Sequence, residues 1–135
     1  MNVIKAAVTC IKYLWAFPVT CIGLAVLPFV LLSGGAVSVF KGVIETEGAL
    51  ASFLLSLLRI DAIAVGHVIF CQNRDSLARC RDHERVHVRQ CERWGPLFPV
   101  LYLLSSASAL VRGLDPYKNN RFEQEAFKKT VNREK

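Results

Sequence analysis

The pattern of apolar and polar positions opens with an unbroken apolar run. Residues 13–32, YLWAFPVTCIGLAVLPFVLL, are 20 positions without a charge, about the length an α-helix needs to cross the hydrocarbon core of a bilayer. Lys5 and Lys12 precede the run and Lys41 follows it, while Tyr13 and Trp15 stand where interfacial aromatic anchors belong. Pro18 and Pro28 are compatible with a membrane helix. The small residues Ser33 to Ala36 would also suit a signal-peptide cleavage site. The run is longer than the roughly 7–15 apolar residues of such peptides, so an uncleaved span or signal anchor is the stronger expectation.

Beyond residue 33 the period changes repeatedly. Gly34 and Gly35 end the first helix, and AVSVFKGVIETEG, with its β-branched residues, predicts one short strand. ALASFLLSLLRI, residues 49–60, predicts an apolar helix, and AIAVGHVIFC, residues 62–71, one buried strand. His67 within that strand is expected to be a core histidine and not a ligand. QNRD is turn-like, and Asp75 or Ser76 can cap a helix that runs to Trp94, where Gly95 and Pro96 stop it. Residues 96–111 form a second uncharged run of 16 residues, RGLDPYKNN a loop, and residues 121–135 a charged final helix with Phe122, Ala126 and Val131 on its inner side. The expected fold is mainly α with a small β element, an α+β arrangement. It divides into an N-terminal transmembrane helix or signal anchor, residues 1–35, and one domain, residues 36–135.

Composition sharpens the membrane reading. The 135-residue chain is 53% apolar, yet 17 Lys and Arg against 11 Asp and Glu give a net charge of +6. Apolar plus basic fits a protein whose polar parts touch anionic headgroups, so membrane lipid is an expected partner. Nucleic acid is not, because no nucleic-acid-binding motif accompanies the charge. The five cysteines are odd in number and irregular in spacing, which argues against a disulfide framework.

The chemistry lies on the predicted helix from 76 to 94. His83 and His87 are four residues apart and so share one face, where two imidazoles can bind one metal ion. Glu84, adjacent to His83, can face a metal-bound water. His83-Glu84-Arg85-Val86-His87 fits H-E-x-x-H, two zinc ligands with a general base between them. Leu77, Cys80, Gln90, Cys91 and Trp94 fall on the histidine side, while Arg81, Arg85, Arg89 and Glu92 fall opposite. The histidines therefore belong to the buried or cleft side. The arginine row, like-charged at i, i+4, calls for anions such as lipid headgroups.

Two histidines do not hold a catalytic zinc; a third protein ligand is expected. Cys80 and Cys91 flank the motif, but they are eleven positions apart, about 16 Å along a helix, and neither embraces the ion well with the histidines. Glu123 and Glu125 in the last helix are the better candidates. His83-Glu84-x-x-His87 followed by Glu123-x-x-Ala126 resembles the zincin metallopeptidases of the gluzincin type, whose third ligand is a glutamate on a later helix. In some membrane-bound members that glutamate opens E-x-x-A-D, and here Phe127 replaces the aspartate. On this register the resemblance implies Zn²⁺ on His83, His87 and Glu123, with Glu125 the fallback ligand and Glu84 the general base of a compact zincin-like helical domain. The stretch from His83 to Phe127 is also similar to small bacterial membrane proteins, which implies a bacterial inner membrane.

The run 96–111 lies between His87 and Glu123. If it crossed the bilayer, the glutamate would stand on the wrong side. A helix of 16 residues reaches about 24 Å, short of the roughly 30 Å core, so it is expected to pack on protein or insert halfway and return the chain to the same side. Two functions remain: a membrane-anchored zinc hydrolase of peptide or protein substrates, or a non-catalytic membrane protein with a structural metal site or none. In the first, Tyr117, Asn119 or Asn120 could stabilise an oxyanion, and Gln90 could bond substrate or the metal ligands. The strand near residues 62–71 could pair with a substrate strand.

Overall fold

A computed structural model of the protein describes residues 3–131. Along the chain come α1 (Val3–Leu32), β1 (Ala36–Phe40), β2 (Val43–Glu47), α2 (Ala49–Leu58), β3 (Ala62–Val65), β4 (Val68–Cys71), α3 (Arg74–Trp94), a single 3-10 turn (Gly95–Leu97), α4 (Phe98–Val111) and α5 (Arg121–Val131). The chain is mainly helical with a small sheet. By length and composition, two helical stretches could cross a membrane: Val3–Leu32, and the α3–α4 stretch Arg74–Val111.

The apolar run forms a longer helix than its uncharged core, beginning ten residues before Tyr13. One side of α1 is buried along the domain through Ala16, Val19, Thr20, Gly23 and Val30. The other side exposes Phe17, Ile22 and Phe29. The helix ends as expected at the glycine pair, with Gly35 amide donating to the Val30 carbonyl.

Each stretch expected to form one strand forms a hairpin instead. Lys41 and Gly42 both have positive φ, 49° and 76°, the signature of a two-residue type I′ turn, so AVSVFKGVIETE folds back between β1 and β2. Gly66, φ 63°, is the first turn residue between β3 and β4. The turns were hidden because both sit inside continuous apolar or β-branched runs without Asn or Asp. The described residues contain one four-stranded sheet in the order β1-β2-β4-β3. β2 and β4 pair in parallel at its centre, connected through α2 and β3, and β3 forms a free edge.

α3 lies on one face of this sheet. Asn73 caps it by accepting from the Ser76 amide at 2.9 Å, so the cap lies two residues before Asp75 and three before Ser76. Leu77 and Val88 pack with Val43, Ala62, Ile69 and Cys71 to form the core beneath the helix. Trp94, expected on this buried side, is 41% exposed. Two members of the arginine row find their anion within the protein. Arg81 and Arg85 both bond Glu45, a β2 carboxylate 2% exposed.

His67 is a core histidine and the point where α1 is fastened. Its Nδ1 is 3.0 Å from the Thr20 hydroxyl and its Nε2 is 3.2 Å from the Glu92 carboxylate. The ring stacks on Tyr13 with centroids 4.0 Å apart. A carboxylate can only accept here, so Nε2 donates to Glu92, while the Thr20 hydroxyl also accepts from the His67 amide and lies 3.2 Å from the Ala16 carbonyl. A Cβ on Gly66 would stand 2.5 Å from the Thr20 backbone, so both φ and the close approach of α1 require glycine at this turn. The N-terminal helix and the rest of the chain thus share a buried polar lock.

Candidate metal centre

α3 presents His83 and His87 one turn apart, and α5 brings Glu123 against them. His83 Nε2 is 3.0 Å from Glu123 Oε2, His87 Nε2 is 3.3 Å from Glu123 Oε1, and the two imidazole nitrogens are 3.2 Å apart. The three donors form a group that could hold a metal ion. Tetrahedral ligands with metal bonds of about 2.0–2.1 Å stand about 3.3 Å from one another, so the triangle has the size of one face of such a site. Two imidazoles and one carboxylate suit a borderline divalent ion. All three side chains are withdrawn from solvent, His83 the most open at 12% exposure.

α5 reaches this position because the chain turns back after α4. The Asn120 side chain donates to the Tyr102 carbonyl and the Ser106 hydroxyl, and its Oδ1 accepts from the Phe122 amide. It caps α5 and pins it beside the middle of α4. Asn120 is fully buried in that task, so it is not an oxyanion donor. Asn119 lies in the turn itself, its amide donating to the Asp115 carbonyl. The apolar run between His87 and Glu123 therefore leads out and back, and the glutamate returns to the histidines.

Gln90 orients His87. Its Nε2 donates to the Phe122 carbonyl at 3.0 Å and to Glu125 at 2.9 Å. The amide oxygen is thereby left facing His87 Nδ1 at 2.8 Å. Nδ1 then carries a proton, and Nε2 is the ring nitrogen that faces the triangle. Gln90→Leu removes this acceptor, and the expected result is a fall of about 10–100-fold in metal affinity, read by competition with a chromophoric chelator.

Glu125 is not at the centre. Gln90, Lys129 and Arg93 hold it on the outer side of α5, as its two-residue offset from Glu123 requires. The cysteines also stand apart. Cys91 is buried among Ala16, Val19 and Phe98, where burial pushes its thiol up to about 11. Cys80 packs on the core beneath α3. Phe127 lies against the His83 ring with centroids 4.7 Å apart and packs it in place.

Tyr102, on α4, is the residue the sequence did not reveal. Its hydroxyl donates to Glu123 Oε1 at 2.6 Å. The only signal was its position four residues after Phe98, on the same helical face within an otherwise apolar run. Tyr117 is half-exposed and packs against Phe127 at the rim of the cleft.

Electrostatics separate the two carboxylates. Burial raises the pKa of Glu123, but hydrogen bonds from His83 and His87 outweigh it and hold the group well below the usual carboxylate range. Burial dominates at Glu84 and pushes it up, against the pull of His87 and His83. For His87, burial lowers the pKa, and the bond and charge of Glu123 more than reverse this.

Glu84 stands close to the backbone amide of Ala64, on the free edge of β3. The Gln72 amide donates to the Asp61 carbonyl directly opposite it. Antiparallel alternation then points the backbone groups of Ala62 and Ala64 away from β4. A cleft of about 950 Å³ runs between this edge and α1, α3, α4 and α5, and His83, Glu84, His87 and Glu123 form part of its wall. No protein family matches the chain, and neither the curated proteins nor the solved structures contain a match to it.

Proposed function

We propose that the chain is a membrane-anchored zinc hydrolase acting on peptide bonds. The observation that carries this reading is the joint placement of the His83, His87 and Glu123 triangle and the Glu84 carboxylate on the wall of one cleft. Zinc, when bound, supplies Lewis-acid polarisation of a carbonyl and lowers the pKa of water towards 7. His83 and His87 hold it as neutral imidazoles, the second fixed in its tautomer by Gln90. Glu123 supplies the negative charge and is itself positioned by Tyr102. Glu84, buried and adjacent to His83, is the group available to take a proton and return it to a leaving amine. The outward amides and carbonyls of Ala62 and Ala64 offer an edge on which an extended peptide can lie.

A structural metal site is the alternative, and the open side of the triangle disfavours it. Structural zinc is closed by four protein ligands, whereas a catalytic site keeps one position for water or substrate. Among the described residues the ligand group has three members, and its remaining side is cleft. The test is peptide hydrolysis by the zinc-loaded protein in lipid vesicles. Turnover should stop with 1,10-phenanthroline and return when zinc is restored. Zinc-loaded protein with no turnover on any of a set of peptides would favour the structural reading.

A further inference from the structure

The mouth of the cleft is made of residues that a water-soluble protein would hide. α1 contributes Ile22, 58% exposed; α4 contributes Leu103, 66% exposed; α5 contributes Phe127 and Val131, 45% and 55% exposed. On either side the outer faces continue without a charge, through Phe17 and Phe29 on α1 and Val100 and Leu104 on α4. An apolar surface of this extent around an opening marks contact with lipid or with an apolar partner. Both α1 and the α3–α4 stretch are long and apolar enough to reach the bilayer. The opposite end of the cleft is polar, with Arg79 and Asp61 paired at 3.6 Å beside Arg59. The cleft therefore has a lipid side and a water side.

Its inner wall is not uniformly apolar. The free edge of β3 carries the outward backbone groups of Ala62 and Ala64. Where the lipid side cuts such groups off from water, each unpaired one is costly. An acyl chain would fill the volume and leave them unpaired. A peptide in extended form brings its own amides and carbonyls in register with the edge, and apolar side chains suit the remaining wall. The volume, about 950 Å³, lies at the upper end of the roughly 300–1,000 Å³ typical of ligand sites.

We infer that the substrate is an apolar peptide segment that leaves the bilayer sideways, passes between Ile22 of α1 and Leu103 of α4, and pairs with β3 in extended form. This rests on reading the centre as hydrolytic, and its test is separate from the test of that reading. The zinc-loaded Glu84→Gln protein carries p-benzoylphenylalanine in place of Leu103, or at Leu104 on the outer face as control, and is reconstituted in phosphatidylcholine vesicles. The probes are a lysine-flanked Leu/Ala membrane peptide with a central Gly-Gly pair and a Ser/Gln-rich soluble peptide of equal length. The expected result is at least a tenfold excess of light-induced adduct with the membrane peptide at 103 over 104, and over the soluble peptide. The same photoprobe at Ile22 should reproduce it, which guards against a fold defect from either replacement. Equal adducts at 103 and 104, adducts mainly with the soluble peptide, or adducts with phosphatidylcholine alone would each overturn the inference. None of those results touches the hydrolase reading, which stands or falls by zinc-dependent turnover across the set of peptides, membrane and soluble alike.

Discussion

Glu84→Gln will keep its metal and lose about 10²–10⁴-fold in turnover, the usual contribution of a positioned general base. The substitution is close to isosteric, and Glu84 is outside the ligand triangle. The amide keeps the shape and polarity of the carboxylate, so the local fold should hold. What disappears is a carboxylate able to take a proton at the wall of the cleft. The measurement is initial rate at matched zinc content. A variant with full turnover would remove Glu84 from the chemistry, and one that loses zinc as well would make it part of the binding site.

Glu45→Ala will destabilise the protein by about 3–5 kcal/mol, because it strands buried charge. Glu45 is 2% exposed and accepts from Arg81 Nε and Nη2 and from Arg85 Nη2 at 2.9–3.1 Å. Arg81 is partly open and can turn to water, but the Arg85 side chain is only 12% exposed and cannot. Its remaining partners are the Phe40 carbonyl, 2.6 Å away, and the Phe40 ring. A loss of that size should lower the thermal midpoint by roughly 10–20 °C for a chain of this length. A shift within a few degrees would mean that the ion cluster holds α3 to the sheet far less than its burial implies.

The comparison of sequence with structure turns on range. His83 and His87 were legible because helical spacing alone places them together, and Gln90 shares that face for the same reason. Glu123 was legible only through resemblance to a known pattern, since nothing local connects it to a helix 36 residues earlier. Tyr102 was lost because a hydroxyl inside an apolar run looks like an interfacial aromatic until a partner is known. The inner partner of Arg81 and Arg85 was out of reach for a related reason. That partner is Glu45, a strand residue that sequence gives no means of placing beneath α3. Asn120, offered for chemistry, proved to be the cap that makes the return of α5 possible.

The hairpins show the opposite limit, a failure of local signals. Lys41-Gly42 and Gly66-His67 are weak turn dipeptides within runs that read as continuous strands, and only the resulting backbone angles expose them. The consequence for the site is direct. A single strand over 62–71 would have run through the core, whereas the turn at Gly66 leaves β3 as a free edge beside Glu84 and fastens His67 to α1.

The central claim is that His83, His87 and Glu123 hold one zinc ion. It is tested most directly by the metal content of protein purified in parallel as the natural sequence and as Glu123→Gln, by mass spectrometry after exchange into metal-free buffer. The account predicts about one zinc per chain in the first and a loss of most of it in the second, with the folded content of both unchanged by circular dichroism. Full zinc retention in Glu123→Gln, or another metal or none in the natural protein after equilibration with zinc, would contradict it.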